Sequence, residues 1–531
     1  MSTFPHPLKV RHLVATAAIA VTMTACVNAN PTGGGGPLGV EPDDGQAPIL
    51  SPLSDVTTTT AAPRVCAPRP LEGDFVLLDN PKAATLRLSQ AIYPCAEHVV
   101  VVSPAAIAIG SGADTAVAEG AVLLVVDPIP TPEQLEEVAR LDPELVTVYG
   151  IPADAVPGAW EVVDPAAEPT SSTTTTTTTS VTTTTLPSDL PIGGVDEVWL
   201  VPEGSRLTDA VRPAAIATDS IVVEVAADDL RAVDADTRTV VGAAETTRLF
   251  GGFGPDAPWQ LAVVQRGDEL PGGGQLMFPG RRFVALYGNP LTSALGVLGE
   301  QGPQEALERA REVASGYENG DGVVVVPTFE IIATVASAQA GSDNDYSSEM
   351  SIGDLQEWVD LAGENEAFVV LDLQPGRTDF LTQAKRYEEL LRLPHVGLAL
   401  DPEWRLKPNQ VHLRQIGTVT AAEINSVSEW LAGIVREEAL PQKLFIIHQF
   451  RFSMITDRET IQAPPELAVV IQMDGQGPLS TKYLTYDQLT AGTENAVWRW
   501  GWKNFYDEDS PRATPEQTLA VDPEPVFISY Q

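Results

Sequence analysis

Two acidic residues, Asp401 and Glu403, follow an apolar run that ends at Leu400. Residues two positions apart in a strand point to the same side, so both carboxyl groups would face one pocket, with their Cα atoms roughly 6.6 Å apart. When two carboxyl groups lie close together, one keeps its proton because both cannot ionise cheaply. Hydrolysis of a glycosidic bond needs such a pair. The spacing therefore predicts that one of the two carboxyl groups is a general acid and that the other attacks the anomeric carbon or stabilises positive charge there.

Further polar side chains stand at the ends of other apolar runs in the same half of the chain. Polar groups that converge on one pocket would hold the hydroxyl groups of a sugar, and an aromatic ring would cover its face. The residues expected to bind substrate are Tyr287, Glu330, Asp372, Gln374, His448, Gln472, Asp474 and Trp500.

The elements that must position these residues alternate regularly over residues 280–531. Eight apolar strand candidates, most of them separated by amphipathic helices, predict a (β/α)8 barrel, whose active site lies at the carboxyl ends of its strands. The candidates are Phe283–Tyr287, Val323–Phe329, Phe368–Leu373, Val396–Asp401, Leu444–His448, Leu467–Met473, Ala496–Trp502 and Val526–Tyr530. Alternation predicts that the even-numbered residues of the fourth strand pack on helices and that the odd-numbered ones, Asp401 among them, face the interior.

The end of the fourth strand resembles the same segment in two families of polysaccharide hydrolases. Family-18 chitinases end this strand with Asp-Gly-x-Asp-x-Asp-x-Glu, and Gly397, Asp401 and Glu403 match that pattern. Val396 and Ala399 replace two of the aspartates. Family-25 lysozymes share Asp-x-Glu at a strand end but also have a first-strand aspartate that this chain lacks. The resemblance implies hydrolysis of a polysaccharide, with Glu403 as the acid and Asp401 orienting the substrate.

Each of these groups also has a purely structural interpretation. Asp401 could cap the loop at Trp404, Asp372 could pair with Arg377, and His448 could be a core histidine. A barrel can also keep its pocket and bind sugars without cutting them. The alternative to a glycan hydrolase is therefore a non-catalytic surface protein that binds carbohydrate of the cell wall.

Residues 66–165 predict a smaller α/β domain with a largely parallel sheet, because apolar runs alternate with helical patterns. Strands are predicted at Phe75–Leu78, His98–Val102, Ala121–Val126 and Leu145–Tyr149, and helices at Ala83–Ile92, Ala113–Glu119 and Thr131–Leu141. The segment from Gly112 to Gly150 resembles a cell wall-binding repeat of type 2, in which an Asp-Ala-rich helix, a Leu-Leu strand, a second helix and a strand ending in Gly follow one another. The family's doubled Gly is single here. The resemblance implies an attachment to the cell wall.

Residues 196–270 show a shorter α/β pattern before the barrel. Strands are predicted at Glu197–Val201, Ile221–Val225 and Thr239–Gly242, with helices at Leu207–Ala217 and Asp228–Ala235. The segment is interpreted as a second, degraded copy of the first block or as a lead-in to the barrel.

The first 26 residues resemble the export signal of a bacterial lipoprotein. Lys9 and Arg11 precede an uncharged run, Leu13–Thr24, that is too short to span a bilayer, and Ala25-Cys26 follows it. The resemblance implies that residues 1–25 are removed as a signal peptide and that the Cys26 thiol receives a diacylglycerol. The protein would then be anchored to the extracellular face of the cell membrane.

Two low-complexity segments flank the first α/β block. Residues 26–65 are rich in Gly, Pro and Thr, and residues 166–195 contain a nearly pure threonine run. Neither composition buries enough apolar surface to fold, so we expect a disordered tether and an extended linker. In an exported protein the two remaining cysteines, Cys66 and Cys95, are expected to form a disulfide.

The chain is strongly acidic, with 72 Asp and Glu residues against 32 Lys and Arg and a formal net charge of −40. This charge argues against a nucleic-acid partner. No phosphate-binding loop, nucleophile elbow or His-rich metal motif occurs in the sequence. We therefore expect no cofactor and no metal ion. The predicted partners are a cell-wall or extracellular polysaccharide and, through the lipid, the membrane.

Overall fold

The computed structural model describes residues 65–73, 80–163, 196–226, 228–493 and 496–531. Within them it confirms N-terminal α/β modules with parallel sheets, followed by a closed eight-stranded parallel barrel. The predicted signal peptide, Cys26, the tether up to residue 64, the linker 166–195 and the predicted strand Phe75–Leu78 lie outside the described residues. No helix in the described part of the chain is long and apolar enough to cross a membrane.

The first module is a four-stranded parallel sheet with helices in its connections. The strands β1 (His98–Val102), β2 (Val122–Val125), β3 (Leu145–Tyr149) and β4 (Glu161–Val163) lie in the order β2-β1-β3-β4, and the helices are α1 (Pro81–Ile92), α2 (Ala106–Glu119) and α3 (Pro132–Leu141). The α3 helix begins at a capping box formed by Thr131 and Gln134. Predicted strands and helices that fall on described residues are confirmed, although α2 begins earlier than expected. The predicted disulfide between Cys66 and Cys95 is also present.

The second module repeats the topology of the first on a smaller scale. Its strands are β5 (Glu197–Pro202), β6 (Ser220–Val225) and β7 (Thr246–Leu249), and its helices are α4 (Leu207–Ala217), α5 (Ala235–Ala243) and α6 (Ala257–Arg266). The order β6-β5-β7 matches β2-β1-β3, with the first strand of each module in the centre. The two modules share one hydrophobic core, in which Leu88 and Val101 belong to the same buried cluster as Trp199 and Val211.

The predicted strand Thr239–Gly242 is wrong, because these residues belong to helix α5. Its β-branched residues suggested a strand, but the side chain of Asp234 accepts a hydrogen bond from the backbone N–H of Thr237 at 2.8 Å and caps a helix there. The predicted helix Asp228–Ala235 is also wrong in large part, because the chain forms only a short 3-10 turn, Leu230–Ala232, before α5 begins.

The C-terminal domain is a (β/α)8 barrel. Its eight strands are β8 (Arg281–Gly288), β9 (Val324–Ala336), β11 (Phe368–Leu373), β12 (Val396–Leu400), β14 (Lys443–His448), β16 (Leu467–Met473), β17 (Arg499–Asn504) and β18 (Phe527–Tyr530). Each pairs in parallel with its neighbours, and the pairing of β18 with β8 and of β8 with β9 closes the barrel. All eight predicted strands are confirmed, most with shifts of a few residues at their ends, whereas β9 continues seven residues beyond its predicted end at Phe329.

Seven helices and three short strands lie between the barrel strands in the described residues. The helices are α7 (Pro303–Ser315), α8 (Ile352–Glu364), α9 (Phe380–Ala384), α10 (Glu388–Leu391), α11 (Ala421–Glu437), α12 (Leu479–Thr490) and α13 (Pro515–Leu519). The strand β10 (Ser347–Glu349) extends β9 antiparallel, and β13 (Val419–Thr420) pairs with β15 (Ile455–Thr456) outside the barrel.

The barrel interior is apolar at the amino ends of its strands and polar at their carboxyl ends. Phe283, Phe368 and Leu444 form a core inside the barrel, and Leu270 and Met277 from the preceding segment join it. As predicted, the even-numbered residues of β12 belong to the separate core between barrel and helices, whereas Ala399 lies in the interior cluster. The plugged amino end leaves the carboxyl end as the place for a pocket.

Candidate active site

A cavity of about 480 Å³ lies at the carboxyl ends of the barrel strands. Its wall combines acidic, amide and aromatic side chains with one lysine. The polar and aromatic residues of the wall include Tyr287, Gln374, Asp401, Glu403, Trp404, Phe450, Asp474, Lys503, Phe505 and Glu508. The cavity therefore has the polar groups to orient a hydroxylated ligand and the aromatic surface to cover it.

Asp401 and Glu403 both line this cavity, but only Asp401 continues directly from a strand. The strand β12 ends at Leu400, and Asp401 begins a 3-10 turn, Pro402–Trp404. The Asp401 carboxylate accepts a hydrogen bond from the backbone N–H of Glu403 at 3.3 Å. Asp401 therefore caps the loop of Trp404, as the structural interpretation held, and it also contributes to the cavity wall.

The loop that follows holds this turn in place. The backbone N–H of Gly417 donates to the carbonyl oxygen of Glu403 at 2.7 Å. A Cβ atom at position 417 would lie only 2.4 Å from the carbonyl oxygen of Pro402 and 2.6 Å from that of Glu403. Only glycine therefore fits at this position, where the loop packs against the backbone of the turn. The guanidinium of Arg405 also pairs with Glu423 of α11 at 2.8 Å. The backbone that carries Glu403 is thus fixed against a barrel helix.

The imidazole of His448 lies below the cavity between two carboxylates. Its Nδ1 is 3.0 Å from Oδ2 of Asp474, and its Nε2 is 3.0 Å from Oε1 of Glu330. Burial alone would lower the pKa of His448, but the negative charges of Asp372, Asp474 and Glu330 outweigh burial and hold the pKa well above its usual value. The raised pKa and the two flanking carboxylates favour the protonated ring, in which both N–H groups donate.

A second buried group connects strands β8, β11 and β17. The hydroxyl of Tyr287 donates to Oδ2 of Asp372 at 2.9 Å, and the side-chain amide of Gln374 donates to the same hydroxyl at 3.4 Å. The Nζ of Lys503 lies 3.3 Å from the centre of the Tyr287 ring, which is cation–π geometry. Asp372 does not pair with Arg377, which instead donates to the carbonyl oxygen of Gln410.

Three of these carboxyl groups have raised pKa values. Burial and then the charge of Glu403 raise the pKa of Asp401 well above its usual value. Burial and then the charge of Asp474 raise the pKa of Glu403 to about 7, against the opposing charges of Lys503 and His448. Burial raises the pKa of Asp372 to about 6, although the charge of His448 opposes it. Protonated and ionised carboxyl groups therefore coexist near neutral pH, as acid–base catalysis requires.

The buried contacts described above include three predicted substrate-binding residues, Glu330, Asp372 and His448, that are not part of the cavity wall, and two more, Gln472 and Trp500, also lie away from the wall. Gln472 is buried beneath it, and its side-chain amide donates to the hydroxyl of Ser529 at 2.5 Å. Trp500 points out of the barrel and packs on Tyr486 of α12, with ring centres 6.0 Å apart. The structure therefore does not bring Trp500 to the other predicted residues. The tryptophan that reaches the cavity is Trp404.

Sequence reasoning missed Lys503 and the aromatic residues Phe450 and Phe505. The predicted seventh strand ended at Trp502, two residues too early, so the next inward-facing position after Gly501 was not considered. Alternation along β17 identifies Lys503 once the strand is extended by two residues. Phe450 and Phe505 follow the ends of β14 and β17 in loops, where no periodic pattern indicates the direction of a side chain.

The residues Asp401, His448 and Asp474 offer ligand atoms within 4.8 Å of one another. A metal ion needs a lone pair on an imidazole nitrogen. Both ring nitrogens of His448 already contact carboxylate oxygens at 3.0 Å, so neither presents a free lone pair to the cavity. The arrangement therefore fits a histidine cation better than a metal ligand.

Comparison with protein-family models gives no match, and neither the curated proteins nor the solved structures compared with this chain give a significant match. A functional assignment therefore depends on the fold and on the geometry of the cavity. The geometry is needed because the (β/α)8 fold alone is compatible with many activities.

Proposed function

We propose that the barrel hydrolyses a glycan of the cell envelope or its surroundings, with Glu403 as the general acid and Asp401 as an orienting carboxyl group. One observation carries this proposal: both acids line a single cavity at the catalytic end of a (β/α)8 barrel, and the pKa of Glu403 is raised to about 7. A carboxylic acid whose pKa lies close to the working pH is both protonated often enough and acidic enough to donate its proton.

In the proposed reaction Glu403 donates its proton to the glycosidic oxygen as the bond between that oxygen and the anomeric carbon breaks. The positive charge that develops on the sugar ring is stabilised by the negative carboxylates beneath it, Asp372 and Asp474. A water molecule then adds to the anomeric carbon, and its proton returns to a carboxylate of the site. Asp401, whose pKa is raised by burial and by the charge of Glu403, orients the substrate through a hydrogen bond.

The walls of the cavity support a sugar as the ligand. Trp404 is partly exposed, and with Phe450 and Phe505 it offers aromatic surface around the acids. Gln374, Gln476 and Gln531 add amide groups that can both donate to and accept from hydroxyl groups. A polyhydroxylated ring with two faces suits such a mixture of flat apolar surface and convergent polar groups.

We also propose that the chain acts at the outer surface of the cell membrane, attached through lipid on Cys26. The basic residues, the short apolar run and the small residue before Cys26 support this proposal, as they do for exported lipoproteins in general. The wall-binding resemblance of residues 66–165 supports a cell-wall polysaccharide as the partner. Replacement of Cys26 by serine should release the protein from the membrane fraction and abolish labelling with a fatty acid, and unchanged fractionation would refute the anchor.

The experiment for the catalytic proposal compares the full-length protein with its Glu403→Gln variant on peptidoglycan and on chitin-type oligosaccharides. Glu357→Gln is a matched control, because Glu357 is exposed on α8. We expect product from the wild type and from Glu357→Gln but at most about 1% of that rate from Glu403→Gln, since loss of a general acid costs about 10²–10⁴-fold. Equal product from all three proteins would remove Glu403 from the mechanism. No product from any of them would favour the binding protein.

A further inference from the structure

The candidate active site contains more negative than positive groups. We call the charged side chains at its centre the inner ring: the carboxyl groups of Glu330, Asp372, Asp401, Glu403 and Asp474, and the cationic groups of His448 and Lys503. Among the described residues, the inner ring contains no other charged side chain. Burial of an uncompensated charge costs several kcal/mol, so such a site takes up protons or binds a positively charged ligand. Glu508 at the cavity wall adds a further carboxylate.

The buried polar atoms of this inner ring that lack a hydrogen-bond partner are all acceptors. They are Oε2 of Glu330, Oδ1 of Asp372 and Oδ1 of Asp474. Asp474 lines the cavity while its side chain is only 5% exposed, so its unpartnered oxygen belongs to the cavity wall. Leaving a buried acceptor without a donor costs about 1–3 kcal/mol. The unpartnered Asp474 oxygen is therefore complementary to a ligand that brings a hydrogen-bond donor and a positive charge to the cavity wall.

An ammonium group meets both conditions, because it carries one positive charge and three N–H donors and accepts no hydrogen bond. A divalent metal ion fits less well, because both nitrogens of His448 are held by Glu330 and Asp474 at 3.0 Å. The aromatic rings of Trp404 and Phe450 on the cavity wall also favour a cation, since an aromatic face attracts positive charge. The cavity of about 480 Å³ leaves room for the sugar ring to which the ammonium is attached.

We propose that the glycan recognised in this cavity carries a free amino group, so that the bound unit is a hexosamine that is not N-acetylated and its ammonium is held by Asp474 and the neighbouring carboxylates. This inference rests on the proposed function, because it names the substrate class for the same site. An N-acetylated sugar would place a neutral amide and a methyl group against these carboxylates. It would bring one donor instead of three and no positive charge.

The test measures binding of neutral and cationic oligosaccharides to the full-length protein by calorimetry. The ligands are hexamers of glucosamine, of galactosamine, of N-acetylglucosamine and of glucose. We expect one of the two free-amine hexamers to bind at least tenfold more tightly than both neutral hexamers at low salt, with the preference shrinking as ionic strength rises. Equal or tighter binding of a neutral hexamer would overturn the proposal.

The Asp474→Asn variant tests the site itself, with Asp487→Asn as a control because Asp487 is exposed on α12. Asp474→Asn should lose the preference for the free amine and keep its affinity for a neutral hexamer, whereas Asp487→Asn should keep the preference. A preference that survives Asp474→Asn would overturn the assignment to this cavity. Direct binding of Zn²⁺ or Mg²⁺ to the wild-type protein but not to Asp474→Asn, with no binding of a free amine, would overturn the proposal and assign the excess charge to a metal ion.

Cleavage of the same hexamers separates this inference from the proposed function. If a free-amine hexamer binds tightly and is not cut, the protein is a binding protein for cationic glycans, so the hydrolase proposal fails and the inference stands. If a neutral hexamer is cut while the free-amine hexamers neither bind nor react, the hydrolase proposal stands and the inference fails.

Discussion

The carboxylate of Asp401 accepts a hydrogen bond from the backbone N–H of Glu403 at 3.3 Å. The two acids that the sequence suggested as a pair are therefore held by one turn, and the first of them fixes the backbone of the second. Because Asp401 is buried yet lines the same cavity as Glu403, the same spacing provides a structural cap and two carboxyl groups at the cavity wall. A structural and a catalytic interpretation of an acidic residue are compatible here.

A comparison of two tryptophans separates sugar binding from folding. Trp404→Ala should raise the KM for a glycan about tenfold or more with little change in the unfolding free energy, because its ring lines the cavity and is partly exposed. Trp500→Ala should cost about 3–5 kcal/mol of stability, because its ring is buried against Tyr486 outside the barrel. Steady-state kinetics and chemical denaturation check both. If KM rises in folded Trp500→Ala but does not rise in Trp404→Ala, the result would contradict the geometry of the cavity.

The rate of hydrolysis should fall as the pH rises through about 7. Glu403 must be protonated to donate, and burial and the charge of Asp474 raise its pKa to about 7. Above that value the fraction of protonated acid falls tenfold per pH unit. The measurement is kcat against pH for the wild type, on a substrate whose cleavage needs an acid. A rate that stays constant between pH 6 and pH 9 would contradict the role of Glu403 as acid.

Glu403→Gln should also change how stability depends on pH. The pKa of Glu403 is raised on folding, so the folded state binds more protons than the unfolded state between about pH 4.3 and about 7. The contribution of the carboxyl group is most favourable below that window and is lost as the pH rises through it. The free energy of unfolding of Glu403→Gln, relative to wild type, should therefore increase from pH 4 to pH 8 by roughly 1–3 kcal/mol. A difference that is the same at both pH values would show that the pKa of Glu403 is not raised.

The interior of the barrel should not tolerate a methyl group at Gly397. A Cβ atom there would lie 2.8 Å from the carbonyl oxygen of Leu444 and 3.0 Å from the ring of Phe368. Gly397→Ala should cost about 1–3 kcal/mol of stability. Gly433→Ala is the matched control, because Gly433 lies in α11 with nothing within 4 Å of its would-be Cβ, and it should stabilise the protein by about 0.5–1 kcal/mol. Thermal denaturation that ranks the two variants in the opposite order would contradict the packing described.

The barrel could be predicted from the sequence because its strands are buried on both faces and appear as short apolar runs that recur with helices between them. Such runs depend on local composition alone. The helix α5 was predicted wrongly because its β-branched residues at Thr239 and Val240 favour a strand locally, while the cap at Asp234 and the buried contact of Val241 favour a helix.

The candidate site could be predicted in part because strand ends and side-chain alternation are also local features of the sequence. Strand ends and alternation identify which residues point to the barrel mouth, and five of the ten predicted residues line the cavity there: Tyr287, Gln374, Asp401, Glu403 and Asp474. The pairing of His448 with Glu330 could not be predicted, because these residues are 118 positions apart and meet only when the barrel closes. The excess of acceptors over donors in the buried ring depends on such pairings and so becomes visible only in three dimensions.

The most direct test of the account is the dependence of the Glu403→Gln defect on the leaving group. Two aryl glycosides of the sugar that the wild type releases would be compared, one with a dinitrophenyl group, which leaves without a proton, and one with an unsubstituted phenyl group, which needs it. The account predicts that kcat/KM of Glu403→Gln falls about 10²–10⁴-fold on the phenyl glycoside and less than about tenfold on the dinitrophenyl glycoside. Equal loss on both substrates, or loss on neither, would contradict the assignment of Glu403 as the general acid.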